Sequence, residues 1–277
     1  MQRLALAWAL AACAFLSPVS AFDRDEPAGI ALSADEQAAF LREARVTAVR
    51  AIGKGVTRPL RLTLTDGTIT HDAAFQRVDM SNAPHAMGRG VRPAGELRFV
   101  DAYRYNIAAY RLARLVGVDD MMPVTVERYV NGERGALSWW VDDVMFDDAE
   151  RDARGLEPPD RQAFLDDRQR MLLFAELVGD TDRNQGNVLF TRSWRLVMID
   201  FTRAFRLDDG LRLPGALQRA ERGMLSRIRA LTEREIRGEA GRHLTVFEIR
   251  ALLARRDRIV AHYDRLAAAR GADAVFY

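Results

Sequence analysis

Apolar residues change their spacing along this chain, and each change predicts a different element. In an N-terminal arm over 22–45, Ser33 followed by Asp35 and Glu36 opens a short capped helix. From Val46 the spacing alternates. Val49-Arg50-Ala51-Ile52 and Leu60-Arg61-Leu62-Thr63-Leu64 predict two strands, Asp66-Gly67 a hairpin turn, and Ala73-Ala74-Phe75 the start of a third strand. Gly53-Lys54-Gly55-Val56-Thr57 forms the loop between the first two strands. The stretch from Met80 to Arg98, punctuated by Asn82, Pro84, Gly88, Gly90 and Pro93, predicts a loop or insertion.

Helical spacing then takes over: Ala102, Tyr105, Ala109, Leu112 and Leu115 share one face of a helix over 99–116 that stops at Gly117. Val124 to Tyr129 and Leu137 to Val141, joined by Asn131-Gly132, predict a second hairpin. Acidic residues broken by Gly155, Pro158 and Pro159 make 146–160 a linker. Arg161 to Val178 predicts a strong helix. Val188-Leu189-Phe190 and Leu196-Val197-Met198-Ile199 predict a short strand pair, and 216–270 is helical with a break near Gly238 to Arg242. The expected class is α+β, with a mainly β lobe over 46–144 and a mainly helical lobe over 145–277.

Composition narrows the chemistry. The chain has 277 residues, 48% of them hydrophobic, enough for a full core. Its 41 basic and 39 acidic residues are interleaved and leave a formal charge of +2, which predicts no nucleic-acid partner. Met1 to Ala21 carries Arg3, an apolar run to Leu16 and small residues before Phe22, the pattern of a cleavable export signal. That run is shorter than the ~20 residues needed to span a bilayer, and no later stretch is apolar enough, so no membrane span is expected after cleavage. The mature chain is therefore expected in the periplasm or outside the cell. Leu10-Ala11-Ala12-Cys13 resembles a lipoprotein box, but the apolar run continues past Cys13, which argues against a lipid anchor there. Removal of the leader takes away the only cysteine, excluding disulfides and a thiol nucleophile. His71, His85, His243 and His262 have no zinc-ligand spacing.

The most informative stretch is Gly179-Asp180-Thr181-Asp182-Arg183-Asn184-Gln185-Gly186-Asn187, followed by the strand pair and Asp200-Phe201-Thr202-Arg203. A tight turn at Thr191 to Trp194 pairs the strands antiparallel, which sets Asn187 beside Asp200 with Asp182 facing them. Two oxygen ligands and a nearby base suit a hard cation such as Mg²⁺, or Mn²⁺, that completes its shell with water and phosphate. Here the sequence resembles the atypical kinase superfamily: the secretory-pathway Golgi casein kinases, the HipA-like kinases and the phosphatidylinositol kinases. Asp182 to Asn187 matches their Asp-Arg-His-x-x-Asn loop, with Asn184 where histidine is frequent. Asp200-Phe201 matches their metal-binding Asp-Phe-Gly, with Thr202 in place of glycine. In order and spacing the resemblance spans 46–206. It implies a two-lobed kinase fold, ATP as co-substrate, Asp182 as the residue that orients or deprotonates the acceptor, and Asn187 and Asp200 as metal ligands. The acceptor, a protein, lipid or sugar, is unknown.

The front half departs from that family. Gly53, Lys54 and Gly55 suit a phosphate-covering loop. The third-strand lysine and its helix glutamate are replaced by Gln76 and Asn106, and Lys54 is the only lysine in the chain. Either Lys54 or Arg77 reaches the phosphates instead, or Gln76 and Asn106 form a neutral pair in a silent pseudokinase that acts as a binding module. The fold also permits AMP transfer with the nucleotide reversed. Of Trp139 and Trp140 beside the hinge, one is expected in the core and the other at an adenine pocket. Arg203 is expected to hold a phosphate, Asp182, or a structural salt bridge.

Overall fold

The computed structural model describes residues 32–53, 58–80 and 100–277. The leader, Cys13, Lys54, Gly55 and the segment 81–99 lie outside the described residues. Helix α1 (Ala34–Glu43) is closed at its start by a reciprocal box in which Ser33 and Glu36 cap each other's backbone N–H groups. Strands β1 (Arg45–Ala51), β2 (Leu60–Thr65) and β3 (Thr70–Gln76) form an antiparallel meander. Helix α2 (Arg104–Val116) follows, then the hairpin β4 (Thr125–Val130) and β5 (Glu133–Trp139). The sheet order is β1-β2-β3-β5-β4.

Period-two burial decides which face of this sheet does what. Leu62, Leu64, Ala73, Phe75 and Leu137 turn inward and pack with Leu41 of α1 and Leu112 of α2. Each of the leucines and Phe75 contributes about 1.5–3 kcal/mol by leaving water. Their alternates Ala74, Gln76 and Ser138 are left on the other face, toward the second lobe.

The second lobe holds a three-stranded sheet, β6 (Val144–Asp147), β7 (Val188–Thr191) and β8 (Leu196–Met198), in that order. Around it lie α3 (Asp148–Ala153), α4 (Arg161–Val178), α5 (Arg222–Ala230), α6 (Glu233–Ala240) and α7 (Val246–Arg270). The segment read as a linker is thus structured at its start. Phe146 packs against Phe190 and Trp194, and Val144 to Asp147 pairs with β7. Its acidity misled because one carboxylate is internal: Asp148 is buried and held by Arg151 at 2.7 Å and Arg168 at 2.9 Å. Burial pushes its carboxyl up, and those two arginines outweigh this and hold it below the usual range.

Between the lobes, the hinge is fastened to β3. The Trp140 N–H donates to the Asp72 carbonyl, His71 Nε2 lies 2.7 Å from the Asp142 carboxylate, and the His71 ring stacks on Trp139 at 3.7 Å.

Candidate active site

Helix α4 stops at Gly179, whose φ of 60° lies in the left-handed region that closes helices. A Cβ there would stand 2.7 Å from Cζ of Arg255, so both the turn and the close approach call for glycine. The chain then drops Asp180 into the interior. Its Oδ1 accepts the Asp182 N–H at 2.9 Å, and its Oδ2 accepts from Arg183 at 2.6 Å. Arg183 also donates to the carbonyls of Asn187 at 2.8 Å, Ile199 at 2.6 Å and Asp200 at 3.3 Å, and its guanidinium lies 4.1 Å over the Phe201 ring. One buried cation thus joins the loop to the end of the β7–β8 hairpin.

That joint brings Asp182, Asn187 and Asp200 together. The Ile199 N–H donates to the Asn187 carbonyl at 3.0 Å, continuing the strand pair by one step. Asn187 Nδ2 donates to the Asp182 carbonyl at 2.8 Å, which leaves Asn187 Oδ1 without a donor. Asp200 Oδ1 accepts from the Thr202 hydroxyl at 2.8 Å, which leaves Asp200 Oδ2 open. Two unused hard oxygens, one amide and one carboxylate, fit a divalent cation that takes its remaining ligands from water and phosphate. Among the described residues no group of three or more His, Cys, Asp or Glu side chains could hold a metal, so a closed metal cage is not on offer.

Asp200 itself sits at φ 56°, a conformation aspartate tolerates better than most residues. Thr202 is outside the left-handed region, so no glycine is required there, and its hydroxyl orients Asp200. Asn184, where the family often has histidine, accepts the Gly186 N–H and donates to Asp182 Oδ1 at 3.0 Å. The turn is thus an Asx cap that also aims Asp182. Arg203 lies 3.4 Å from Asp182 Oδ2 and 3.3 Å from Asp101 Oδ2.

Above these groups is a cleft of about 450 Å³ between the two sheets. Ile52, Ala74, Val141, Leu189 and Met198 give it apolar walls, while Gln76, Asn106, Asn187 and Asp200 lie at its polar end. Trp139 and Trp140 both border it; Trp139 also packs edge-on against Phe40, and Trp140 carries the Arg61 guanidinium 4.1 Å above its ring.

Gln76 and Asn106 meet: Asn106 Nδ2 donates to Gln76 Oε1 at 2.7 Å, and Asn106 Oδ1 accepts the Phe201 N–H at 2.6 Å. A single neutral side chain therefore links β3, α2 and the segment after Asp200. Arg77 is placed elsewhere. The alternation that turns Gln76 into the cleft turns Arg77 away, and it pairs with Glu133 at 2.6 Å. Gly53 does not border the cleft, although Ile52 and Pro59 on either side of its loop do. Among the described residues, the cleft wall holds no lysine or arginine. Replacing Asn106 with leucine should cost about 2–3 kcal/mol in urea unfolding, since it strands Gln76 Oε1 and the buried Phe201 N–H without partners. A Gln76→Leu, Asn106→Leu double variant should recover part of that loss.

Arg183 and Asp101 are the important residues that pattern alone does not mark. Arg183 stands inside the motif, but its role depends on carbonyls from both strands. Asp101 precedes α2 and reads as a first-turn acid, yet it is 1% exposed with Oδ1 unpartnered. Burial, and then the neighbouring charge of Asp200, push its carboxyl above the usual range.

No protein-family model and no curated protein matches the sequence. Solved structures do match by shape. A hydra Fam20 with sugar superimposes with a TM-score of 0.63 at 15% identity, covering 88% of this chain and 91% of the other. A Golgi casein kinase with Mn/ADP bound gives 0.63 at 14% identity over 88% and 78%. The proinflammatory kinase CtkA of Helicobacter pylori gives 0.51 at 9% identity over 84% and 98%. The β sheet followed by a helical lobe, the cleft between them and the loop and hairpin at its floor are thus arranged in the fold of the Fam20-like atypical kinases.

Proposed function

We propose that this chain is an ATP-dependent phosphotransferase working with a divalent metal. The observation that carries this reading is the set of open oxygens at the cleft floor: Asn187 Oδ1 and Asp200 Oδ2 have no protein donor among the described residues, while the other polar atom of the Asn187 side chain and the other oxygen of Asp200 are bonded. A bound metal would neutralise charge on the phosphates. The residues supply position: the apolar walls take the base, Asn187 and Asp200 fix the triphosphate end, and Asp182 faces the acceptor. In the transfer, the acceptor hydroxyl oxygen forms a new bond to the γ-phosphorus as the bond to the β-phosphate oxygen breaks. ADP leaves, and the hydroxyl proton passes to Asp182. The export pattern of Met1 to Ala21 supports an acceptor outside the cytoplasm.

The neutral Gln76–Asn106 pair supports a second reading, a nucleotide-binding module without transfer, because that pair offers phosphate no cation. Thermal unfolding of the mature chain with ATP, with and without Mg²⁺, separates the two when combined with label transfer. Metal-dependent stabilisation that Asp200→Ala abolishes, with transfer of the γ-phosphate, is expected for the enzyme. Stabilisation without transfer leaves the binding module, transfer of the α-phosphate leaves AMP transfer, and the absence of any nucleotide effect rejects the proposal.

A further inference from the structure

Thr181, next to Asp182, borders a second cavity of about 1190 Å³ on the far side of the catalytic loop. Its wall is built from the start of α2, the segment after Asp200 and the start of α7. Charge on this wall is unevenly matched. Glu248 is occupied by Arg104 at 3.0 Å, and both Glu176 oxygens take backbone N–H groups, from Arg212 at 2.8 Å and Leu213 at 2.9 Å. Asp208 Oδ1 takes the Gly210 N–H at 2.9 Å, and Asp79 completes the acids.

Among the described residues, the guanidinium groups of Arg212, Arg242 and Arg255 have no carboxylate within ion-pair distance. Arg212 donates to the Asp180 carbonyl at 3.1 Å. Arg255, 1% exposed, donates to the carbonyls of Leu177, Arg206 and Asp208, and its Nη2 has no partner. Burial depresses its pKa to about 10, more than the charges of Asp208, Glu176 and Asp209 nearby can offset. Arg242 is exposed and its guanidinium makes no hydrogen bond among the described residues, beside an exposed Phe247.

The wall holds Arg104, Arg206, Arg212, Arg242 and Arg255 against Asp79, Glu176, Asp208 and Glu248, and guanidinium groups without a carboxylate partner beside the catalytic loop suit a phosphate-type oxyanion, which accepts several N–H donors at once. We propose that this cavity takes the acceptor of the phosphotransfer, and that the acceptor is a small hydroxylated molecule already bearing a phosphate monoester. The inference rests on the phosphotransferase reading. Arg242 and Arg212 hold the phosphate, Phe247 covers the carbon skeleton, and the free hydroxyl is offered past Thr181 toward Asp182.

Calorimetry on the mature chain, with the nucleotide cleft saturated by Mg-ADP, tests it with inorganic phosphate, glycerol 3-phosphate, glycerol and vesicles containing phosphatidic acid. Phosphate and glycerol 3-phosphate should bind and glycerol should not, and Arg242→Glu should weaken binding about tenfold or more. Arg242 has no partner among the described residues, so this variant should unfold like the parent. Vesicle binding lost in Arg242→Glu would identify the lipid headgroup as the source of the same phosphate chemistry. Glycerol binding as well as glycerol 3-phosphate, an Arg242→Glu affinity within about twofold of the parent, or no binding at about 10 mM overturns the inference. Repeating the titration without nucleotide keeps the two readings apart. Phosphate binding through Arg242 in a chain that does not bind Mg-ADP removes the phosphotransferase reading and leaves the anion site standing.

Discussion

Replacing Arg183 with alanine is expected to destabilise the protein by about 3–5 kcal/mol in chemical denaturation, a large part of the stability of a domain this size. The magnitude follows from burial. The Arg183 side chain is 6% exposed and the Asp180 carboxylate it pairs with is 0% exposed. Removing the cation leaves that carboxylate without a counter-charge in the interior and takes a donor away from the carbonyls of Asn187 and Ile199. Lysine should not rescue it, because one ammonium cannot reach the carboxylate and both strands with the fixed fork of a guanidinium. A Asp180→Leu, Arg183→Leu double variant should be less destabilised than the single Arg183→Ala, since no unpaired charge remains. Equal stability of Arg183→Ala and the parent would mean that the loop is held by something other than this cation.

Asp182→Asn should behave in the opposite way. Its side chain is 31% exposed; the substitution keeps the backbone carbonyl that Asn187 uses and an amide oxygen for Asn184, and gives up only the part-exposed ion pair to Arg203. Stability should change by less than about 1 kcal/mol and Mg-ATP affinity by no more than about twofold, while kcat for γ-phosphate transfer falls by about 10²–10⁴. Parallel losses in kcat and nucleotide affinity would instead make Asp182 a binding group. Unchanged kcat would remove it from the chemistry.

The difference between Arg183 and Asp182 also explains what was legible in the sequence. Asp182, Asn187 and Asp200 are close in the chain, and a turn between two short apolar runs is enough to predict that they converge. The strands of the first sheet and their two hairpins were equally readable, because alternation in Leu60 to Leu64 and a turn at Asp66-Gly67 are local signals, whereas the pairing of β3 with β5 that joins them is not. Strand β6 was not, since Val144 to Asp147 is a strand only because Phe190 and Trp194 lie beneath it. The inward Asp101 was hidden for the same reason: nothing near it in sequence distinguishes a buried carboxylate from a capping one. The fate of Arg77 depended on which face of β3 meets the cleft, a question that Glu133, on another strand, settles. Lys54 lies outside the described residues.

Helix α2 is fastened twice. At one point Asn106 links it to β3 and the Phe201 backbone, and at another Arg104 and Tyr105 hold the Glu248 carboxylate at the start of α7. Moving α2 would therefore break a neutral junction and a buried ion pair in the same movement, so the helix ties the β sheet, the segment after Asp200 and the start of α7 into one unit that gives way together or not at all.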